Sequence, residues 1–293
     1  MALTEAGQLR NAGKPIVHHG TDTAGPNRPE EPGKVCLVTG GGGPHVGWGI
    51  CEALAQHGYH VVVADRSLRA AEGTVARLAG LGHHQATAVA VDVANTESVE
   101  SCVGGVLARL GRIDGLVNSA GVGLDSPLTE TTPEQFDRLM HVNVRGALWC
   151  ARAVAPAMAE AGGGSIVNIG SVHARNAAPG YGLYAATKAA LVAMSRALAT
   201  ELGPDRIRCN VVHPGAVRQE GDLDPVTGDP EVRSRHLAFA DTRQILHCPV
   251  RPIDVGNAVA FLVSDSSRMV TGTELMVDGG TTALLHDLNP THD

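Results

Sequence analysis

Short apolar runs alternate along this chain with longer stretches whose apolar positions recur every three to four residues. The runs are Val35-Cys36-Leu37-Val38, His60 to Asp65, Thr87 to Val91, Gly115 to Asn118, Ser165 to Ile169, Arg208 to Val212 and Glu274 to Val277. Their near-continuous Val and Ile content predicts strands covered on both faces. Between them, Ile50 to His57, Ser67 to Ala79, Pro133 to Ala161 and Tyr184 to Leu202 carry the helical period. Strand and helix in alternation predict a single doubly wound α/β domain, with a parallel sheet and helices on both faces. Two stretches break the rhythm. Residues 1–33 are rich in Gly, Pro, Thr, Asn and charge, and read as a mobile tail or surface arm ahead of a domain spanning 34–285. Residues 218–250 are polar and charged, and read as an inserted loop or helical lid. Residues 286–293 read as a C-terminal tail, and no solenoid-type repeat is present.

Composition narrows the function more than the fold. The chain has 293 residues, 43% hydrophobic and 18% charged, enough to bury a core without staples. A net charge of -7 gives no electrostatic reason to bind nucleic acid or an anionic membrane. No apolar stretch reaches membrane-span length, and the N-terminus lacks the basic-then-apolar layout of a signal peptide, so a cytoplasmic location is expected. The six cysteines are scattered without a C-x-x-C pair, as expected of buried reduced thiols. The 14 histidines include the pairs His18-His19 and His83-His84, but none has metal-ligand spacing, and no metal is expected.

The first strand runs into Thr39-Gly40-Gly41-Gly42-Gly43-Pro44-His45-Val46-Gly47-Trp48-Gly49, and a helix follows. Glycines there let the backbone approach a pyrophosphate, whose charge the helix N-terminus favours. The second strand ends in Asp65, placed to accept from a ribose 2′-hydroxyl and to repel a 2′-phosphate. This favours NAD over NADP, although Arg66 follows directly.

Tyr184 and Lys188 stand at i and i+4, on one face of a helix. A neighbouring ammonium stabilises a phenolate. Ser171 closes a strand thirteen positions before Tyr184, where its hydroxyl could meet a substrate oxygen. Asn143 lies within a predicted helix, and Asn118-Ser119-Ala120-Gly121 closes another strand. His173, His213 and Tyr181 are candidates for the wall of a substrate pocket.

Taken together these residues resemble the short-chain dehydrogenase/reductase family, from about Val35 to about Gly280. The match covers Thr39-Gly40 with Gly47-x-Gly49, Asp65, Asp92-Val93, Asn118-x-Ala120-Gly121, Asn143, Ser171, Tyr184-x-x-x-Lys188, Pro214-Gly215 and the ending Val270 to Gly280. The resemblance implies a sheet of about seven strands, frequent assembly as a homotetramer or dimer, and hydride transfer between a nicotinamide cofactor and a small alcohol or carbonyl substrate. It also implies roles. Tyr184 would be the acid/base, and Lys188 would lower its pKa and bind the nicotinamide ribose. Ser171 would position the substrate oxygen, and Asn143 would hold a water of a proton relay. Gly40, Gly47, Trp48 and Gly49 would lie along the pyrophosphate. Asp92 and Val93 would sit by the adenine, with Asn118, Ala120 and Gly121 near its ribose. Pro214, Gly215 and Val217 would lie by the nicotinamide.

The glycine turn departs from the family's Thr-Gly-x-x-x-Gly-x-Gly: six residues separate Gly40 from Gly47, three more than the family pattern has. Arg218 and Gln219 stand where a carboxamide-contacting Thr is common in the family. Two other readings stay open, a non-catalytic dinucleotide sensor and an epimerase or dehydratase working through transient oxidation. The mixed charge of 218–250 suits a polar substrate and a solvated lid equally, and an aromatic content of 3% offers no platform for a flat ring.

Overall fold

Along the first strand, Val35 and Leu37 turn to one side of the sheet, and Cys36 and Val38 to the other. Period-two alternation of this kind places an apolar core on each face. In the computed structural model, residues 33–176, 178–223 and 228–285 are described; the expected tails, apart from Gly33, and residues 224–227 of the lid segment lie outside them.

Seven parallel strands form the sheet: β1 (Val35–Thr39), β2 (His60–Asp65), β3 (Ala86–Ala90), β4 (Gly115–Asn118), β5 (Gly164–Ile169), β6 (Ile207–Pro214) and β7 (Glu274–Val277), in the order β3-β2-β1-β4-β5-β6-β7. The helices are α1 (Val46–Gln56), α2 (Leu68–Gly80), α3 (Thr96–Leu110), α4 (Pro133–Met140), α5 (Gly146–Glu160), α6 (Gly182–Leu202), α7 (Glu220–Leu223), α8 (Pro230–Arg243) and α9 (Pro252–Val263). Core residues of α1, α2 and α9, such as Ile50, Leu78 and Val259, cover one face. Those of α3, α5 and α6, such as Val103, Val154 and Leu198, cover the other. This is the doubly wound sheet that the alternation predicts. Its strand order reverses between β1 and β4, whose register pairs Thr39 with Asn118, and a ligand crevice opens beyond strand ends at such a point.

Three elements differ from the sequence reading. Helix α1 starts at Val46 rather than Ile50, because Gly47 and Gly49 lie inside it. A Cβ on Gly47 would sit 2.2 Å from the Gly40 carbonyl oxygen, and one on Gly49 would sit 2.1 Å from the Pro252 carbonyl. Close packing, not helix propensity, selects glycine there. The stretch 133–161 is not one α-helix: a π-helical turn, His141–Arg145, separates α4 from α5. The 218–250 segment is an excursion carrying α7 and α8. Its base is closed by a parallel bridge between Val217 and Val250 and by Arg218 N–H donating to Val250 O at 2.8 Å.

Buried amides tie the sheet to its helices. Asn118 Nδ2 donates to Asn168 Oδ1 (2.8 Å) and to Ala147 O in α5 (3.2 Å), and Asn168 Nδ2 donates to Ser195 Oγ in α6 (2.8 Å). Each buried polar group lost from such a chain costs about 1–3 kcal/mol, so the chain fixes α5 and α6 against β4 and β5.

Candidate active site

The crevice beyond β1 and β4 begins at Gly40. Its φ is +69°, and a Cβ there would press on the Ala120 backbone at 2.8 Å. Thr39 Oγ1 accepts from Ala120 N–H at 3.3 Å and holds the two strand ends together. Beside them is a cavity of about 180 Å³ lined by Gly40, Asp65, Arg66, Asp92, Val93 and Ala120. Asp65 Oδ2 accepts from Gly42 N–H (3.1 Å) and Oδ1 from Ser67 N–H (3.0 Å), which anchors the glycine loop and leaves carboxylate lone pairs for a further donor. A cradle that admits no Cβ, a helix N-terminus and a carboxylate at the far end suit a dinucleotide.

Not every expected contact lies on this groove. Gly47, Trp48, Gly49 and Asn118 line neither this cavity nor the next. Trp48 is buried in the core with the Arg77 guanidinium 3.6 Å over its ring. Gly49 lets α1 pack against the start of α9, and Asn118 belongs to the amide chain.

A second cavity, about 430 Å³, adjoins the first; Gly121 and Val122 line both. Ser171, Tyr184 and Lys188 meet there, and Pro214, Gly215 and Val217 also line it. Ala- and Leu-rich sequence makes α6 a strong helix, and its spacing sets Lys188 Nζ 5.5 Å over the Tyr184 ring. Burial raises the Tyr184 phenol above its ordinary pKa, and a hydrogen bond from Ser171 pulls it back down. Lys188 is buried, which lowers its pKa to about 8, and its Nζ donates to Ile169 O at 2.7 Å. The lysine is thus held between the phenol ring and the Ile169 carbonyl. His173 and Tyr181 stack at 4.8 Å, both edge-on to Tyr184, so three rings form one wall.

Asn143 sits in the π-helical turn, a distortion that recurs at functional sites. Its Oδ1 accepts from Val122 N–H (2.8 Å), and its Nδ2 donates to Val122 O (2.9 Å) and Thr187 Oγ1 (3.0 Å). It clamps the loop after β4, which both cavities share, to the helix that carries Tyr184 and Lys188.

Two parts of the site exceed the sequence reading. His213 does not line the chamber; it lies behind Ser171, bonded to its backbone and to Glu274. His45, from the lengthened glycine loop, lines the chamber and meets Gln219 Nε2 at 2.9 Å. The loop's extra length gave the signal for His45; nothing in the spacing singled out Glu274. A larger cavity, about 660 Å³, opens among Lys34, Asp114 and Arg208 at the other strand ends, but its acids are occupied, Asp114 by Arg112 and Asp265 by Lys34.

Comparison with known proteins agrees with this geometry. A family model described as enoyl-(acyl carrier protein) reductase matches residues 45–282. Cyclopentanol dehydrogenase of Comamonas sp. is 36% identical over 254 residues, covering 85% of this chain and 97% of that protein. The chain belongs to the short-chain dehydrogenase/reductase family. Among other relatives, D-threitol dehydrogenase of Mycolicibacterium smegmatis is 35% identical, over 85% of this chain and 93% of its own length. A gluconate 5-dehydrogenase from Burkholderia cenocepacia, solved with NADP and tartrate, superposes with a TM-score of 0.75 at 31% identity, covering 86% of this chain and 96% of that one. The family is one of oxidoreductases that use nicotinamide cofactors. Among the described residues of this member, no helix is long and apolar enough to cross a membrane, and no cluster of three His, Cys, Asp or Glu could hold a metal.

Proposed function

We propose that this short-chain dehydrogenase/reductase is an NAD-dependent enzyme interconverting a small secondary alcohol and its ketone. The observation that carries the reading is the convergence of Ser171, Tyr184 and Lys188 on one chamber that adjoins a glycine-lined groove flanked by Asp65. The bound nicotinamide would supply the hydride acceptor or donor. Ser171 Oγ and the Tyr184 hydroxyl hold the substrate oxygen, and Tyr184 takes or returns its proton. Lys188 sets the local field, and Asn143 keeps Val122 and α6 in register.

Asp65 supports NAD: a 2′-phosphate beside its carboxylate would place like charges together, and Arg66 offers the opposing pull. The chamber supports a small neutral substrate. Its volume is about 430 Å³, and Lys188 is the one Lys or Arg among its described lining residues. Cyclopentanol and D-threitol, named for two relatives, have that character. Gln219, just before α7, meets His45 of the chamber wall at 2.9 Å, which supports a role for the 218–250 segment at the chamber's edge. We take the enzyme to be a homo-oligomer, tetramer or dimer, as its family often is.

The test is NADH formation at 340 nm by the purified chain on cyclic alcohols, polyols, aldoses and hydroxy acids, each with NAD and with NADP. Turnover of a neutral alcohol with NAD is the expected result. Tight NAD binding with no absorbance change on any alcohol or ketone would favour the sensor or transient-oxidation readings.

A further inference from the structure

His213, near the end of β6, is fully buried and touches three groups at once. Its Nε2 lies 3.1 Å from Glu274 Oε2, while its Nδ1 lies 3.0 Å from Ser171 N and 2.7 Å from Ser171 O. One ring nitrogen cannot accept from the N–H and donate to the carbonyl in the same tautomer. The other end of the ring decides between them. A carboxylate only accepts, so Nε2 carries the proton. A ring with that single proton presents a lone pair at Nδ1, which takes the Ser171 N–H.

Among the described residues, Arg175, at 3.1 Å, and Arg196 also pair with Glu274. Burial works against Glu274's charge, but the bonds and charge of Arg175, and then His213, hold its carboxyl below the usual range. Arg175 and Arg196 are largely exposed, so the Glu274 carboxylate reaches from solvent-facing guanidiniums to the enclosed His213 ring.

The serine is held at both ends. Its backbone is extended, at φ -169° and ψ 154°, and its Oγ accepts from His173 N–H at 3.2 Å. The imidazole occupies the space of the missing side chain at Gly170, where a Cβ would lie 2.5 Å from Nδ1.

We propose that His213, oriented by Glu274, is a positioning residue that fixes the Ser171 peptide so that its hydroxyl meets the substrate oxygen beside Tyr184. It acts through Ser171 and touches neither substrate nor cofactor. The catalytic consequence rests on the dehydrogenase reading; the hydrogen bond itself does not.

The experiment therefore has two arms. In the first, the ¹⁵N spectrum of the ligand-free protein should show His213 with its proton on Nε2 and a cross-hydrogen-bond coupling between Ser171 N and His213 Nδ1. A proton on Nδ1, or no such coupling, overturns the assignment whether or not any alcohol is turned over. In the second arm, His213→Phe and His213→Asn are assayed on the best alcohol of the panel, alone and combined with Ser171→Ala. A misplaced Ser171 should lower kcat about 10- to 100-fold with the cofactor KM little changed. Asparagine, which keeps an acceptor near Nδ1, should restore part of that loss. In the Ser171→Ala background the His213 changes should cost nothing further. An equal additional loss there, or a kcat untouched by His213→Asn together with an unperturbed Ser171 amide, would refute the proposal. If the phenylalanine variant does not fold, the asparagine variant and the spectrum decide. Failure of every alcohol with the coupling present would count against the dehydrogenase reading and leave the tautomer standing.

Discussion

Replacing Lys188 by methionine should make the chain's stability less dependent on alkaline pH. The lysine is 5% exposed, and burial takes its pKa from 10.5 to about 8. At roughly 1.4 kcal/mol per tenfold, holding it charged at pH 7 costs about 3 kcal/mol. Methionine removes that cost at similar length, but it leaves the Ile169 carbonyl without the Nζ donor now 2.7 Å away, a loss of about 1–3 kcal/mol. The two effects largely offset at pH 7, and the variant should unfold within about 2 kcal/mol of the parent. The sign of the pH dependence is firmer than that balance. Between about pH 8 and 10.5 the unfolded lysine keeps its proton while the folded one has lost it, so parent stability rises with pH. By pH 9.5 the parent should gain about 2 kcal/mol relative to the variant. Urea unfolding of both proteins at pH 7 and 9.5, compared pairwise, cancels every other titrating group. A stability difference that stays constant between the two pH values would refute the reasoning, and would mean that Lys188 carries its charge without penalty.

Other expectations follow from the groove. Asp65→Asn keeps an acceptor for Gly42 N–H and removes the charge; kcat/KM with NADP relative to NAD should rise about 10- to 100-fold, measured with one alcohol and both cofactors. Gly40→Ala meets both a φ of +69° and the Ala120 backbone at 2.8 Å; it should lower stability by about 1–3 kcal/mol in thermal unfolding and weaken NADH binding measured by fluorescence.

The inner strands were legible because nearly every position is buried and the letters become a continuous apolar run, while β7, at the sheet edge with only half-buried positions, was legible from its Leu-Met-Val run alone. β2, β4 and β7 fall on the residues the pattern names. The start of α1 was obscured because its glycines serve contacts with Gly40 and Pro252 that no local pattern contains. The π-helical turn at Asn143 was hidden for a related reason: its apolar spacing still reads as helix, and the distortion exists only through bonds to Val122 and Thr187. Within the site, the spacing of Tyr184 and Lys188 and the strand-end place of Ser171 were readable, since each depends on one element's geometry. The direction of Lys188's ammonium was not, because it answers to the Ile169 carbonyl at the end of β5. Glu274, sixty-one positions from His213, was silent for the same reason. Trp48 illustrates the converse, since its place in the glycine turn suggested the cofactor while its side chain went to the core beneath Arg77.

The central claim is that Tyr184 exchanges the substrate proton. It is tested most directly by the turnover number of Tyr184→Phe beside the parent, with NAD and the best alcohol of the panel, after NADH binding has shown both proteins folded. The account predicts a loss of about 10²- to 10⁴-fold in kcat with cofactor affinity nearly unchanged. A variant that retains the parent's kcat would contradict it and move the acid/base role to another group of the chamber.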